Sequence, residues 1–136
     1  QGRDAFFVEG SFFKYPKEFK IYDHNGNPAA HIVKQPLRFM SHFDVTTDKV
    51  KLTIRNNFTV FKRSISMVGG SWTLTGDIWG YNYGAIHGNT PILNIRKKWF
   101  SWGDSYELDI IDSDDAALCI AIVIVIDKLI EESQNN

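Results

Sequence analysis

Four short stretches set Lys or Arg against aromatic rings: Phe13-Lys14-Tyr15-Pro16-Lys17, Arg38-Phe39-Met40, Phe61-Lys62-Arg63 and Phe100-Ser101-Trp102, the last preceded by Arg96-Lys97-Lys98. Amphipathic rings settle at headgroup depth in a membrane interface, and each cation near an anionic leaflet contributes about 1 kcal/mol. The chemistry on offer is recognition of an anionic phospholipid headgroup. Its phosphate contacts would be Lys14, Lys17, Arg38, Lys62, Arg63, Arg96, Lys97 and Lys98. The plainer reading, which we favour, turns the aromatics inward, where they plug the interior of the fold.

Other reactive residue types are read as structural. His24, His31, His42 and His87 have no metal-ligand spacing and are read as solvated or hairpin positions. Asp112-Ser113-Asp114-Asp115 begins like a calcium loop but lacks its glycine and the glutamate at the twelfth place, where Val123 stands. It is read as a helix cap. Cys119 is the single cysteine, so no disulfide framework exists, and its apolar setting makes it a small hydrophobe. Trp72, Trp79, Trp99 and Trp102 are read as core or rim packing. No phosphate-cradling glycine loop, nucleophile elbow or Cys–base pair is present. We therefore assign no catalytic residue, metal or cofactor, and expect a protein that is not an enzyme. The formal net charge of −1 lacks the basic footprint of a nucleic-acid binder, so no nucleic-acid partner is expected.

The elements that position these residues come from a degenerate repeat. An apolar residue is followed by others at +4, +7, +11 and +13: Val8, Phe12, Tyr15, Phe19, Ile21; Ile54, Phe58, Phe61, Ile65, Met67; and Ile95, Trp99, Trp102, Tyr106, Leu108. Ile32, Leu37, Met40, Phe43, Val45 is a looser copy. Even steps within each half and an odd step between them describe two strands and a connection, so each unit is a hairpin. Turn chemistry at Asn25-Gly26, Gly69-Gly70 and Gly88-Asn89-Thr90-Pro91 supports the same divisions. Strands are expected near 5–12, 18–23, 29–36, 42–46, 50–58, 63–68, 72–79, 82–87, 92–99 and 105–111.

Residues 116–126 are eleven apolar residues in a row between Asp115 and Asp127. With no polar face, such a segment must be surrounded on all sides. As a helix it would run only ~16 Å, too short for the roughly 20 residues that span a bilayer, so no transmembrane span is expected. The β-branched run at 120–126 leaves a strand open. Its length, the capping oxygens of Asp112-Ser113-Asp114-Asp115 and the helical spacing of Asp127-Lys128-Leu129-Ile130-Glu131-Glu132 favour a helix. An eleven-stranded can holds a central helix. Ten strands here, with a pair lost before Gln1, would suffice.

Stacked hairpins sort their connections onto two ends. The aromatic and basic stretches gather at one, and Asp23, Asp48, Asp112, Asp114 and Asp115 at the other. The helix leaves at the basic end carrying Asp127, Glu131 and Glu132, which would neutralise cations there. A pairing of Asp127 with Lys97 is considered, with a solvated rim or bulge preferred for Lys97.

Thr75-Gly76-Asp77-Ile78-Trp79-Gly80-Tyr81-Asn82-Tyr83, Ile95-Arg96-Lys97-Lys98-Trp99-Phe100-Ser101-Trp102-Gly103-Asp104-Ser105-Tyr106 and the terminal run ending Ile126-Asp127 resemble the LURP-one-related family over nearly the whole chain. The resemblance places the chain among Tubby C-terminal-like proteins, related to phospholipid scramblases. It implies a mainly β fold: a closed antiparallel β-barrel of about twelve strands, its N-terminal pair missing here, around a hydrophobic C-terminal helix. One such domain is expected over 1–136, N-terminally incomplete. The function expected is a cytoplasmic, peripherally membrane-associated binding module for anionic lipid headgroups. The alternative is a protein-interaction or scaffold domain with a protein partner.

Overall fold

The computed structural model describes residues 6–11, 17–36, 40–58, 63–100 and 103–134. Ten strands and one long helix occur in the expected order. β1 (Phe7–Ser11), β2 (Glu18–Tyr22), β3 (Pro28–Lys34), β4 (His42–Thr46), β5 (Lys51–Phe58) and β6 (Arg63–Val68) pair consecutively into a six-stranded antiparallel meander. β7 (Trp72–Asp77), β8 (Asn82–His87), β9 (Thr90–Phe100) and β10 (Gly103–Ile110) make a second, four-stranded one. β6 and β7 run side by side at the junction, but no hydrogen-bonded ladder joins the two sheets among the described residues.

The period-two pattern fixes register because a slip of one residue would turn every apolar side chain outward. Ile21 faces Ala30, Ile32 faces Val45, Val45 faces Leu52, and Phe43 faces Ile54, all on the buried side. Among the described residues the repeat fails at Val8. Val8 pairs with Ile21 and shares its face, yet is 49% exposed. β1 is the end strand of its sheet.

Turns are set by short polar side chains. Asp23 Oδ1 accepts from the backbone N–H of both Asn25 and Asn27 at 2.9 Å, closing the β2–β3 connection. In the β7–β8 connection Asp77 Oδ1 accepts from Gly80 N–H at 3.0 Å, and Tyr81 follows with φ +60°.

The apolar run is a helix. Asp112 is the cap, its Oδ1 accepting from Asp114 N–H at 2.9 Å. A 3₁₀ turn (Ser113–Asp115) leads into α1 (Ala116–Gln134). Leu118, Cys119, Ala121, Ile122, Val123, Val125, Ile126, Leu129 and Ile130 are buried on α1 and occupy a ~200° arc of its circumference. They join the inward residues of both sheets in one core, and α1 packs closest to β3, β4 and β5. Ala117, Ile120 and Ile124 on the remaining flank are half-buried. The run is thus neither a strand nor a surface element. Among the described residues no helix is long and apolar enough to cross a membrane.

Candidate functional site

The meander alternates its connections between two poles, so the strand ends flanking 12–16, 37–39, 59–62 and 101–102 share the pole where α1 ends. Lys14, Arg38 and Lys62 lie outside the described residues, as do Phe13, Tyr15, Phe39, Phe61 and Trp102, and the side chains of Arg63 and Lys98 are likewise not described. Lys17, Arg96 and Lys97 are placed. Lys17 stands half-buried before β2, its carbonyl accepting from Lys34 N–H at 2.9 Å. Arg96 is exposed and donates from Nη2 to Glu107 Oε1 at 2.7 Å, across the ladder from it. Lys97 is half-buried on the Ile95 face, its Nζ 4.2 Å from the centre of the Tyr81 ring. An ammonium over an aromatic face is held by the ring quadrupole.

The last turns of α1 are fastened at this pole. Glu132 receives Lys34 Nζ at 3.0 Å on one carboxylate oxygen and the Ser41 hydroxyl on the other. Asn56, a buried amide, donates from Nδ2 to Ser133 Oγ at 3.5 Å. Sequence reasoning expected the helix acids to meet cations here. It did not single out Lys34, Ser41 or Asn56, which lie 77 to 98 residues from their partners. The only signal available was that all three sit at strand ends of the same pole.

Two cavities among the described residues lie at the opposite pole. One cavity of about 440 Å³ opens on the outer face of β2, β3 and β4, walled by Lys20, Tyr22, His31 and Thr46 over Pro28 and Ala29. A second, of about 290 Å³, lies at the start of α1 between Lys49, Trp72, His87, Asp114, Asp115 and Leu118. Ala29, Thr47 and Asp48 line both, so the two cavities flank the β4–β5 turn. Lys20 faces His31 and His31 faces Thr46 in register, giving one polar row across three strands. Glu18 braces this row, 3.2 Å from His31 Nε2 and 4.0 Å from Lys20 Nζ. In the second cavity the His87 and Trp72 rings stack at 5.0 Å with a 14° interplanar angle.

The remaining singled-out residues have local roles. His24 is exposed in a turn and His42 contacts the Met40 carbonyl through Nδ1 at 2.7 Å. No group of three His, Cys, Asp or Glu side chains among the described residues has the arrangement to hold a metal. Burial, and then the negative charge of Asp115, pushes the Cys119 thiol up to about 12, which leaves it protonated and unreactive. Burial also pushes the Tyr83 phenol up, with the charge of Asp127 and then Tyr81 adding to it.

The family model described as LURP-one-related matches residues 1–127. The chain is 27% identical over 134 residues to the uncharacterized protein YxjI of Bacillus subtilis (strain 168), covering 98% of this chain and 83% of that one. No solved structure matches it.

Proposed function

This chain belongs to the LURP-one-related family, and from that premise we propose that it is a non-enzymatic binding module for anionic phospholipid headgroups, acting at the pole where α1 ends. The observation that supports this reading is the alternation of connections, which directs every strand end next to an aromatic–basic stretch toward that one pole. Lys17 and Lys97 stand there, and Arg96 would exchange its exposed contact with Glu107 for a phosphate. The same reading includes kinship with Tubby C-terminal-like proteins and scramblases. It also includes closure of the two sheets into a barrel around α1, and a cytoplasmic protein that associates peripherally with membrane.

Vesicle co-sedimentation tests it. Binding to phosphatidylcholine vesicles containing phosphatidylinositol bisphosphate should exceed binding to phosphatidylcholine alone and weaken as salt rises. Neutralising Lys17, Lys62 or Arg63 to glutamine should each cost about fivefold, since a cation near an anionic surface is worth ~1 kcal/mol. Indifference to the phosphoinositide at low salt removes the reading. A protein-interaction role is the second reading, favoured by the engagement of Glu132 with Lys34 and of Glu107 with Arg96, which uses up positive charge at that pole.

A further inference from the structure

The sequence holds a single Asn-Gly pair, Asn25-Gly26, and that pair carries a reaction of its own. The backbone nitrogen that follows an asparagine can attack its side-chain carbonyl carbon, and a glycine, lacking Cβ, leaves the approach open. Asn27 precedes Pro28, which has no N–H, while Asn82, Asn89 and Asn94 precede the larger Tyr83, Thr90 and Ile95. Asn25 and Gly26 are both exposed in the β2–β3 connection, and a Cβ on Gly26 would meet nothing within 4 Å. The same turn restrains the nucleophile. Gly26 N–H donates to the Asp23 carbonyl at 2.9 Å, and Asp23 Oδ1 takes the N–H groups of Asn25 and Asn27 on either side. Asp23 thus accepts every backbone N–H from 25 to 27. A peptide N–H held in a hydrogen bond gives up its proton less readily, and its nitrogen is not free to turn toward the Asn25 side chain.

We propose that Asn25 is a site of spontaneous deamidation in this protein and that Asp23 holds the reaction in check. The Gly26 nitrogen gives its proton to solvent base and bonds to Asn25 Cγ. The Cγ–Nδ2 bond breaks, the amide leaves as ammonia, and a succinimide ring closes. Water then adds to either ring carbonyl. Opening at Cγ leaves aspartate at position 25, and opening at the backbone carbonyl leaves isoaspartate, through which the main chain is longer by a methylene. The sum is amide plus water to acid plus ammonia, with no change of oxidation state. The ring can close only after Gly26 N–H leaves the Asp23 carbonyl, so the folded chain reacts through local opening of the turn. Either product adds a negative charge, and isoaspartate lengthens the link between Tyr22 and Pro28, which pair in register and wall the larger cavity. The proposal is independent of the headgroup reading, which concerns the other pole.

The test is incubation of the chain at mildly alkaline pH, with peptide mapping by mass spectrometry reading the exchange of NH2 for OH at each asparagine. Asn25 should convert ahead of every other asparagine, and more slowly in the folded chain than in the chain unfolded by guanidinium. Asp23→Ala removes the carboxylate and keeps the carbonyl. Its folded form should convert about tenfold faster than wild type, the equivalent of ~1.4 kcal/mol for two lost hydrogen bonds at an exposed turn. Asp23→Ser, which returns a shorter acceptor, should fall between them, and all three chains should convert at one rate when unfolded. Circular dichroism checks that the variants fold, and the comparison of folded with unfolded wild type needs no variant. Earlier conversion of another asparagine, equal rates in folded and unfolded wild type, or a folded Asp23→Ala chain no faster than wild type would each overturn the proposal.

Discussion

If α1 is the core of the molecule and not a lid upon it, then the cost of trimming an isoleucine depends on where it sits around the helix. Ile122 and Ile126 are 0% exposed and face the inward residues of the sheets, whereas Ile120 and Ile124 are half-buried on the opposite flank. Ile→Ala removes three carbons, worth ~0.8 kcal/mol each when fully buried, and an unfilled cavity adds to that. Ile122→Ala or Ile126→Ala should therefore cost about 3–4 kcal/mol, and Ile120→Ala about 1 kcal/mol. Alanine is the better helix former, by a few tenths of a kcal/mol, but equally so at both positions, so the difference between them is unaffected. A loss of 3–4 kcal/mol is a large part of the 5–15 kcal/mol that holds a domain together. Urea unfolding followed by far-UV circular dichroism and tryptophan fluorescence measures each loss, with an unchanged slope confirming that the same surface is exposed. Equal losses at Ile120 and Ile122, or a loss under about 1 kcal/mol at Ile122, would refute the one-sided packing.

Alkaline pH should destabilise the fold through two buried acids. Cys119 and Tyr83 keep their protons in the folded chain above the values of 9.0 and 10.0 at which they ionise when exposed. Their contribution is complete below those values and drains as pH rises toward the folded ones, so the urea midpoint should fall above pH 9, less steeply in Cys119→Ala and Tyr83→Phe. The Cys119 thiol should label with a maleimide in the native chain more than a thousandfold slower than in denaturant, and comparable rates would place it at the surface. The Lys34–Glu132 pair, each side chain about 30% exposed, should show a coupling of ~1 kcal/mol or less in a double-mutant cycle with Lys34→Met and Glu132→Gln. Gly76→Ala should cost about 2–3 kcal/mol, because φ is +89° and a Cβ would come within 2.9 Å of the Asn82 carbonyl oxygen. Gly26→Ala, also at positive φ but in open space, should cost only about 1 kcal/mol.

The sequence carried the elements because they rest on local periodicity. Alternation in Phe19-Lys20-Ile21 and Phe43-Asp44-Val45 spells out a half-buried strand in either context, and Asp112 followed by an apolar run spells out a capped helix. It carried the poles for a related reason: consecutive antiparallel strands must alternate their connections. What it could not carry depends on which side chains meet after the sheets curve. Lys34 looked like one lysine among many until Glu132 arrived 98 residues later. The two cavities have no motif, since Tyr22 and Asp48 in one, and Asp48, Trp72, His87 and Asp114 in the other, come from separate stretches of the chain. Val8 shows the converse, an apolar position correctly assigned to the inner face but left exposed at the end strand.

The helix also bears on how the charge of each pole should be understood. An α-helix presents partial positive charge at its N-terminus and partial negative charge at its C-terminus. Asp112, Asp114 and Asp115 stand at the first, and Lys34 stands beside Glu132 at the second. Some polarity along the axis would therefore arise from seating α1 alone, with no ligand involved. The two origins make different demands on each residue. A cation that serves the helix should lower stability when reversed and leave binding unchanged, as Lys34→Glu should. A cation that serves a headgroup should do the opposite, as Lys17→Glu should, because Lys17 touches the scaffold through its backbone carbonyl. If Lys17→Glu lowers stability as much as Lys34→Glu, the basic pole belongs to the fold and the headgroup reading loses its support.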